Sequence, residues 1–212
     1  MYEKYGWVSY NDCPNTCIMR RLTNQNISQE KFDEGYYRYN NPVKIRKVKR
    51  GDLPKVEALY NWTGNRWLIK DYPSGIFDDT AVESQIIALN NKVENNGGSF
   101  LCIENGLGRI VGVATLFDSN VNYQTHIKIL DFFVHPNYLE YGTNLLISII
   151  EVDKKRSERQ TTSYLASSDK GKINLLKKLC FKKTGTIAGY FKKGEEEISL
   201  LVLTKGMEKC SV

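Results

Sequence analysis

Two histidines, His126 and His135, are the whole imidazole supply of these 212 residues. That leaves little room for a histidine-rich metal centre, and cysteine does not fill the gap. Of the five cysteines, at 13, 17, 102, 180 and 210, only Cys13 and Cys17 are close in sequence. Such a pair can be half of a zinc site, but a structural zinc takes four ligands and no second Cys/His pair exists. No apolar run approaches the ~20 residues that a membrane helix needs. The first residues, MYEKYGWVSYND, lack the apolar core of a signal peptide. These absences predict a cytoplasmic protein with reduced thiols, no metal and no membrane partner. Basic residues outnumber acidic ones by only 30 to 24. The resulting charge suits an anionic small ligand. No nucleic-acid-binding motif accompanies it, so nucleic acid is not an expected partner. The densest basic cluster, Lys44, Arg46, Lys47, Lys49 and Arg50, interleaves with Ile45 and Val48. It reads as a solvated strand face.

What is present is a change of period along the chain. Residues 1–42 are polar, rich in Asn and Tyr, and carry no sustained periodicity. From Val43 the pattern becomes regular. VKIRKV alternates as a half-buried strand does. Asp52 can cap a helix that has Pro54 in its first turn and Val56, Leu59 and Tyr60 on one face. An irregular stretch with Trp62, Trp67, Tyr72 and Phe77 follows. Thr80-x-x-Glu83 is a capping box before Val82, Ile86, Leu89 and Val93 at helical spacing. SFLCIE and RIVGVATLF flank Asn105-Gly106, a strong hairpin turn signal. HIKILDFFV is a further strand. After Gly142 a helix buries Leu145, Leu146, Ile149, Ile150 and Val152. TSYLAS is a strand, Lys172 to Leu179 a short helix, and KTGTIAGYF and EISLLVLTK are closing strands.

The order from residue 43 is strand, two helices, three strands, helix, strand, helix, two strands. With the stretch LDFFVHPNYLEYGTNLL placed after the fourth strand, it resembles the GNAT superfamily of acyl-CoA-dependent N-acetyltransferases. The resemblance covers roughly Val43 to Met207. It implies an α/β (α+β mixed sheet) fold: a twisted, mostly antiparallel sheet with helices on both faces, spanning 43–207. The segment 1–42 is then an N-terminal extension and 208–212 a tail. The extension is expected to pack on the domain or on a partner chain, a second copy making a homodimer. Its YEKYGW, Tyr2 to Trp7, also resembles a closing segment of the family. It is therefore either the end of a preceding acetyltransferase-like domain or an unrelated arm.

The resemblance also implies a cosubstrate, acetyl-CoA, and an amine acceptor. Backbone N–H groups of Tyr141 to Leu145 would face the pyrophosphate, as helix N-termini do for anions. Gly142 would let the backbone come close. Pantetheine would lie along the backbone near Phe133 and Val134. The cofactor-binding set is thus Phe133, Val134, Leu139, Tyr141, Gly142, Thr143, Asn144, Leu145 and Asp169. The chain departs from the family at several of these. Leu139 replaces the leading basic or amide residue of the loop, and Asn144 its second small residue. Glu140 adds negative charge there. Asp169 stands where the family has Asn. Leu176 stands where a Tyr would protonate the leaving thiolate, and Tyr164 where one branch of the family has a basic Glu. Tyr164 and Asp131 are the catalytic candidates, with Tyr141 and His126 as other substitute proton carriers. The implied function is acetyl transfer to a primary amine. The alternative is a catalytically silent module on the same fold, sensing acyl-CoA or binding another protein.

Overall fold

The computed structural model describes residues 7–13, 16–21, 34–60, 98–119, 127–154, 160–193 and 196–206. The helix expected behind Thr80, the aromatic stretch from Trp62 to Phe77, His126 and the tail 208–212 lie outside the described residues.

Near the N-terminus, β1 (Trp7–Cys13) and β2 (Thr16–Arg21) form an antiparallel pair in a sheet of their own. Residues 1–42 carry no sustained apolar period, so alternation did not announce this pair. The main sheet is built from β3 (Lys44–Lys47), β4 (Ser99–Glu104), β5 (Ile110–Asp118), β6 (Ile127–Val134), β7 (Gln160–Ala166), β8 (Lys182–Lys193) and β9 (Glu196–Lys205). Its seven strands run in the order β3-β4-β5-β6-β7-β9-β8. Every neighbouring pair is antiparallel except β6 and β7. The helices that matter for the site and core are α1 (Leu53–Tyr60), α2 (Gly142–Lys154) and α3 (Lys170–Lys178). The fold is the mixed α/β arrangement expected. None of these helices is long and apolar enough to cross a membrane.

The core sits on β5. Eight consecutive residues, Ile110 to Phe117, are buried. Successive side chains point to opposite faces, so this strand is covered on both. Both α1 and α2 pack against it. From α2 the core takes Leu145, Leu146 and Ile149, all fully buried.

Two local expectations are corrected and a third, the β4–β5 hairpin, gains detail. Asp52 does not cap α1. Its carboxylate turns back to accept from Lys49 N–H at 2.8 Å and from both terminal nitrogens of Arg46, at 2.6 and 2.9 Å. The β4–β5 hairpin expected at Asn105-Gly106 forms. Its connection runs from Asn105 to Arg109, and Gly108 is the residue at positive φ, +69°. The Asn105 side chain closes it by accepting from Leu107 and Arg109 N–H, both at 3.1 Å. Gly106 serves another need: a Cβ there would lie 2.3 Å from Asn41 O. Lastly, the thiols are not all reduced. Cys102 is a buried free thiol, which burial pushes up to about 12. Cys180 is disulfide-bonded, its partner lying outside the residues whose side chains are described. It is exposed at the left-handed turn that ends α3, φ 64°.

Arg46 is the hub of the β3 edge. Besides Asp52 it binds Glu104, which also pairs with Lys44 at 2.7 Å. Hydrogen bonding from Arg46 holds the Asp52 carboxyl down at about 2, from an ordinary 3.8. A carboxyl depressed in the folded state contributes stability above its unfolded value and loses it as pH falls towards the folded one. Arg46→Met should lower stability at neutral pH by about 2–4 kcal/mol, because Asp52 stays buried without its cation while Glu104 keeps only Lys44. It should also flatten the acid decline between about pH 4 and pH 2, where the wild type loses about 2 kcal/mol from Asp52 alone. Urea denaturation at several pH values checks both, and an unchanged acid slope in the variant would refute the account.

Candidate functional site

The parallel pair is where the sheet comes apart. Register between β6 and β7 holds for only three residues: Ile127 with Gln160, Lys128 with Thr161, and Ile129 with Thr162. Beyond that, β6 stays paired with β5 as far as Val134, and β7 stays paired with β9 as far as Ala166. Leu130 to Val134 therefore line an opening. Had the register continued, Asp131 would face Tyr164 across it. The two catalytic candidates stand on opposite lips.

A backbone edge released from pairing must find partners elsewhere when buried. Asp131 supplies one: its Oδ1 accepts from the following N–H, that of Phe132, at 2.8 Å. The same Oδ1 is 3.5 Å from Nζ of Lys172, on the first turn of α3. Asp131 is 8% and Lys172 5% exposed. Burial pushes the Asp131 carboxyl up, and the Lys172 cation opposes that. Lys172 Nζ also lies 5.3 Å from the centre of the Phe132 ring. Asp169 is the N-cap of α3, accepting from Lys172 N–H at 3.0 Å. Tyr164 is half-buried on β7, opposite Val202 of β9. Phe133 is half-buried and Val134 buried.

At the end of β6 the chain enters a 3-10 turn, Pro136–Tyr141, which runs directly into α2. His135 caps the turn, its Nδ1 accepting from Asn137 N–H at 3.2 Å. Burial holds this imidazole near 4, so it is neutral and an acceptor. Gly142 has ordinary helical angles, and its N–H donates to Leu139 O. That donor is consumed inside the turn. A Cβ on Gly142 would meet Leu175 Cδ1 at 2.9 Å and Val134 Cγ2 at 3.6 Å. The position thus faces the packing of α2 on α3 and β6, a requirement for glycine that the sequence reading did not name. Thr143 is half-buried, Asn144 exposed and Leu145 buried, while Leu139 is an exposed apolar side chain.

A strap of tyrosines holds the turn from outside. Tyr37, 1% exposed, stacks on His135 with centroids 4.8 Å apart. Tyr138 is fully buried, and its hydroxyl donates to Arg38 O at 2.7 Å and accepts from Asn40 N–H and Asn105 Nδ2, both at 3.0 Å. Tyr39 stacks on Tyr138, and its hydroxyl meets that of Tyr141 at 2.9 Å. The bond to Tyr39 pushes the Tyr141 phenol up to about 12, which disfavours it as a proton carrier near neutrality. Residues 34–42 thus pack on the domain. Sequence reading passed over the strap and Lys172. The strap joins residues about a hundred apart. Lys172, however, stands four before Leu176 on a buried stripe with Ile173 and Leu175, a visible break in apolar periodicity.

The sequence matches the family described as Acetyltransferase (GNAT) domain over residues 45–202. The chain belongs to the GNAT acetyltransferase family. No curated protein matches it. Solved structures share the fold. An N-acetyltransferase from Staphylococcus aureus is 20% identical at TM-score 0.65, the match covering 79% of this chain and 100% of that one. A ribosomal-protein-alanine N-acetyltransferase from Brucella melitensis is 22% identical at TM-score 0.62, covering 76% and 98%. A phosphinothricin acetyltransferase from Sinorhizobium meliloti, solved in complex with acetyl-CoA, is 14% identical at TM-score 0.65, covering 77% and 87%.

Gly142→Ala should destabilise the protein by about 1–3 kcal/mol through overpacking against Leu175. Leu175→Ala should relieve the clash, so the double variant should be more stable than the sum of the two losses by about 0.5–3 kcal/mol. Thermal denaturation of the four proteins measures this coupling, and strict additivity would contradict the packing role.

Proposed function

We propose that this GNAT domain transfers an acetyl group from acetyl-CoA to a primary amine. The observation that carries the reading is the parting of β6 and β7 after three residue pairs, directly before a turn that enters a helix. The opening offers an extended amide-bearing chain a strand edge to bond to, which is how pantetheine would lie beside Phe132, Phe133 and Val134. The pyrophosphate would then sit at the start of α2, held by backbone donors of Thr143, Asn144 and Leu145 and flanked by Tyr141 and Leu139. Asp169 would border the pantetheine arm from the α3 side. The acetyl-CoA complex of the Sinorhizobium meliloti enzyme supports that choice of cosubstrate.

Attack of a neutral amine on a thioester needs chiefly positioning, together with somewhere for two proton movements to end. Tyr164 and Asp131 flank the opening and are the side chains we assign to proton handling. The acceptor class is a primary amine, and a cytoplasmic setting fits an acetyl-CoA-dependent reaction.

Calorimetric titration with CoA, followed by thioester consumption against a panel of small amines, amino acids and peptide N-termini, tests the reading. The expected outcome is saturable heat and thioester loss that depends on one class of amine. No heat and no thermal shift at millimolar CoA would overturn cosubstrate binding. Binding without transfer to any amine would turn the assignment to a silent acyl-CoA sensor.

A further inference from the structure

We propose that Lys172 is the acid of this site, delivering a proton to the departing thiolate while Asp131 receives one from the attacking amine. The inference rests on the acetyl-transfer reading above and adds a residue to it.

Three observations converge on the pair. First, Lys172 and Leu176 are four residues apart on α3 and both buried, so they share one helix face. Leu176 stands where the resemblance places a proton-donating hydroxyl, and it has no proton to give. A lysine one turn earlier on the same face has the reach to serve the same space. Second, the Lys172 ammonium is directed across the opening to β6, 3.5 Å from Asp131 Oδ1. Third, that oxygen covers the Phe132 N–H, a backbone donor on the unpaired edge of β6. The pair therefore lies on the strand edge that an acyl chain would follow. The charged groups around it are Asp131 from β6 and Asp169 from the N-cap of α3, with the Phe132 ring between.

The proton balance closes within the pair. The neutral amine attacks the thioester carbonyl carbon and forms the C–N bond. Its surplus proton passes to the Asp131 carboxylate. The C–S bond breaks with its electron pair on sulfur, and Lys172 gives a proton to that sulfur, leaving CoA as a thiol. Asp131 is then a neutral acid beside a neutral amine. One proton transfer between them restores carboxylate and ammonium. The low polarity that raises the Asp131 carboxyl narrows the energy gap between the charged and neutral forms of the pair.

A purely structural ion pair would tie α3 to β6 and nothing more. Lys172→Arg separates the two roles, since guanidinium keeps the charge and hydrogen bonds but does not release its proton. With full-length protein, acetyl-CoA and the amine found above, Lys172→Arg should lower kcat by about 10²–10⁴-fold. The KM for acetyl-CoA and the thermal midpoint should stay near wild type. Asp131→Asn should lower kcat and remove the acid limb. Turnover of Lys172→Arg within a few-fold of wild type would overturn the role of Lys172 and leave the acetyl-transfer reading standing. A wild type that fails to bind or consume acetyl-CoA overturns both.

Discussion

A buried strand edge cannot be left without hydrogen-bond partners, and the structure turns on how that demand is met between β6 and β7. Parallel pairing stops after Ile129 and Thr162, so the inward edge of β6 loses its neighbour in the middle of the sheet. Each abandoned N–H or C=O costs roughly 1–3 kcal/mol if nothing answers it. Asp131 answers at Phe132 by folding its own carboxylate back. That places a negative charge in the interior, which then needs a cation, and α3 supplies Lys172. The capping of α3 by Asp169 fixes the helix turn from which Lys172 reaches. Topology, burial and charge are thus links of one sequence of requirements that starts at the missing strand pair.

Much of the fold was legible because its signals are local. Strand periods at SFLCIE, RIVGVATLF and HIKILDFFV became β4, β5 and β6, and the helix behind Gly142 became α2. Where reading fell short, a distant contact decided the outcome. Asn105-Gly106 does mark the β4–β5 hairpin, but that a Cβ at Gly106 would meet Asn41 O, and that Gly108 is the left-handed residue, depended on the folded chain. Asp52 has the chemistry of a helix cap, yet two bonds from Arg46 outweigh it.

The site was legible in position and less so in mechanism. The residues from Asp131 to Leu145 do form the lip of the opening and the turn after it. What the sequence concealed is direction. Gly142 looks toward Leu175 and not outward, because α2 comes within contact of α3 only if that position has no side chain. Lys172 looks like one more surface lysine in a basic chain until the helix is wound, when its spacing from Leu176 turns it inward.

The tyrosine strap carries a consequence for how the domain moves. One phenol, Tyr138, is bonded to Arg38, Asn40 and Asn105, so three chain segments share a single hydroxyl at the entrance to α2. Stacking of Tyr37 on His135 adds a second clasp. The turn cannot swing away while the strap stays in place. Release of 37–40 and opening of 136–141 are therefore one cooperative event, a single unit of local unfolding with a shared free energy.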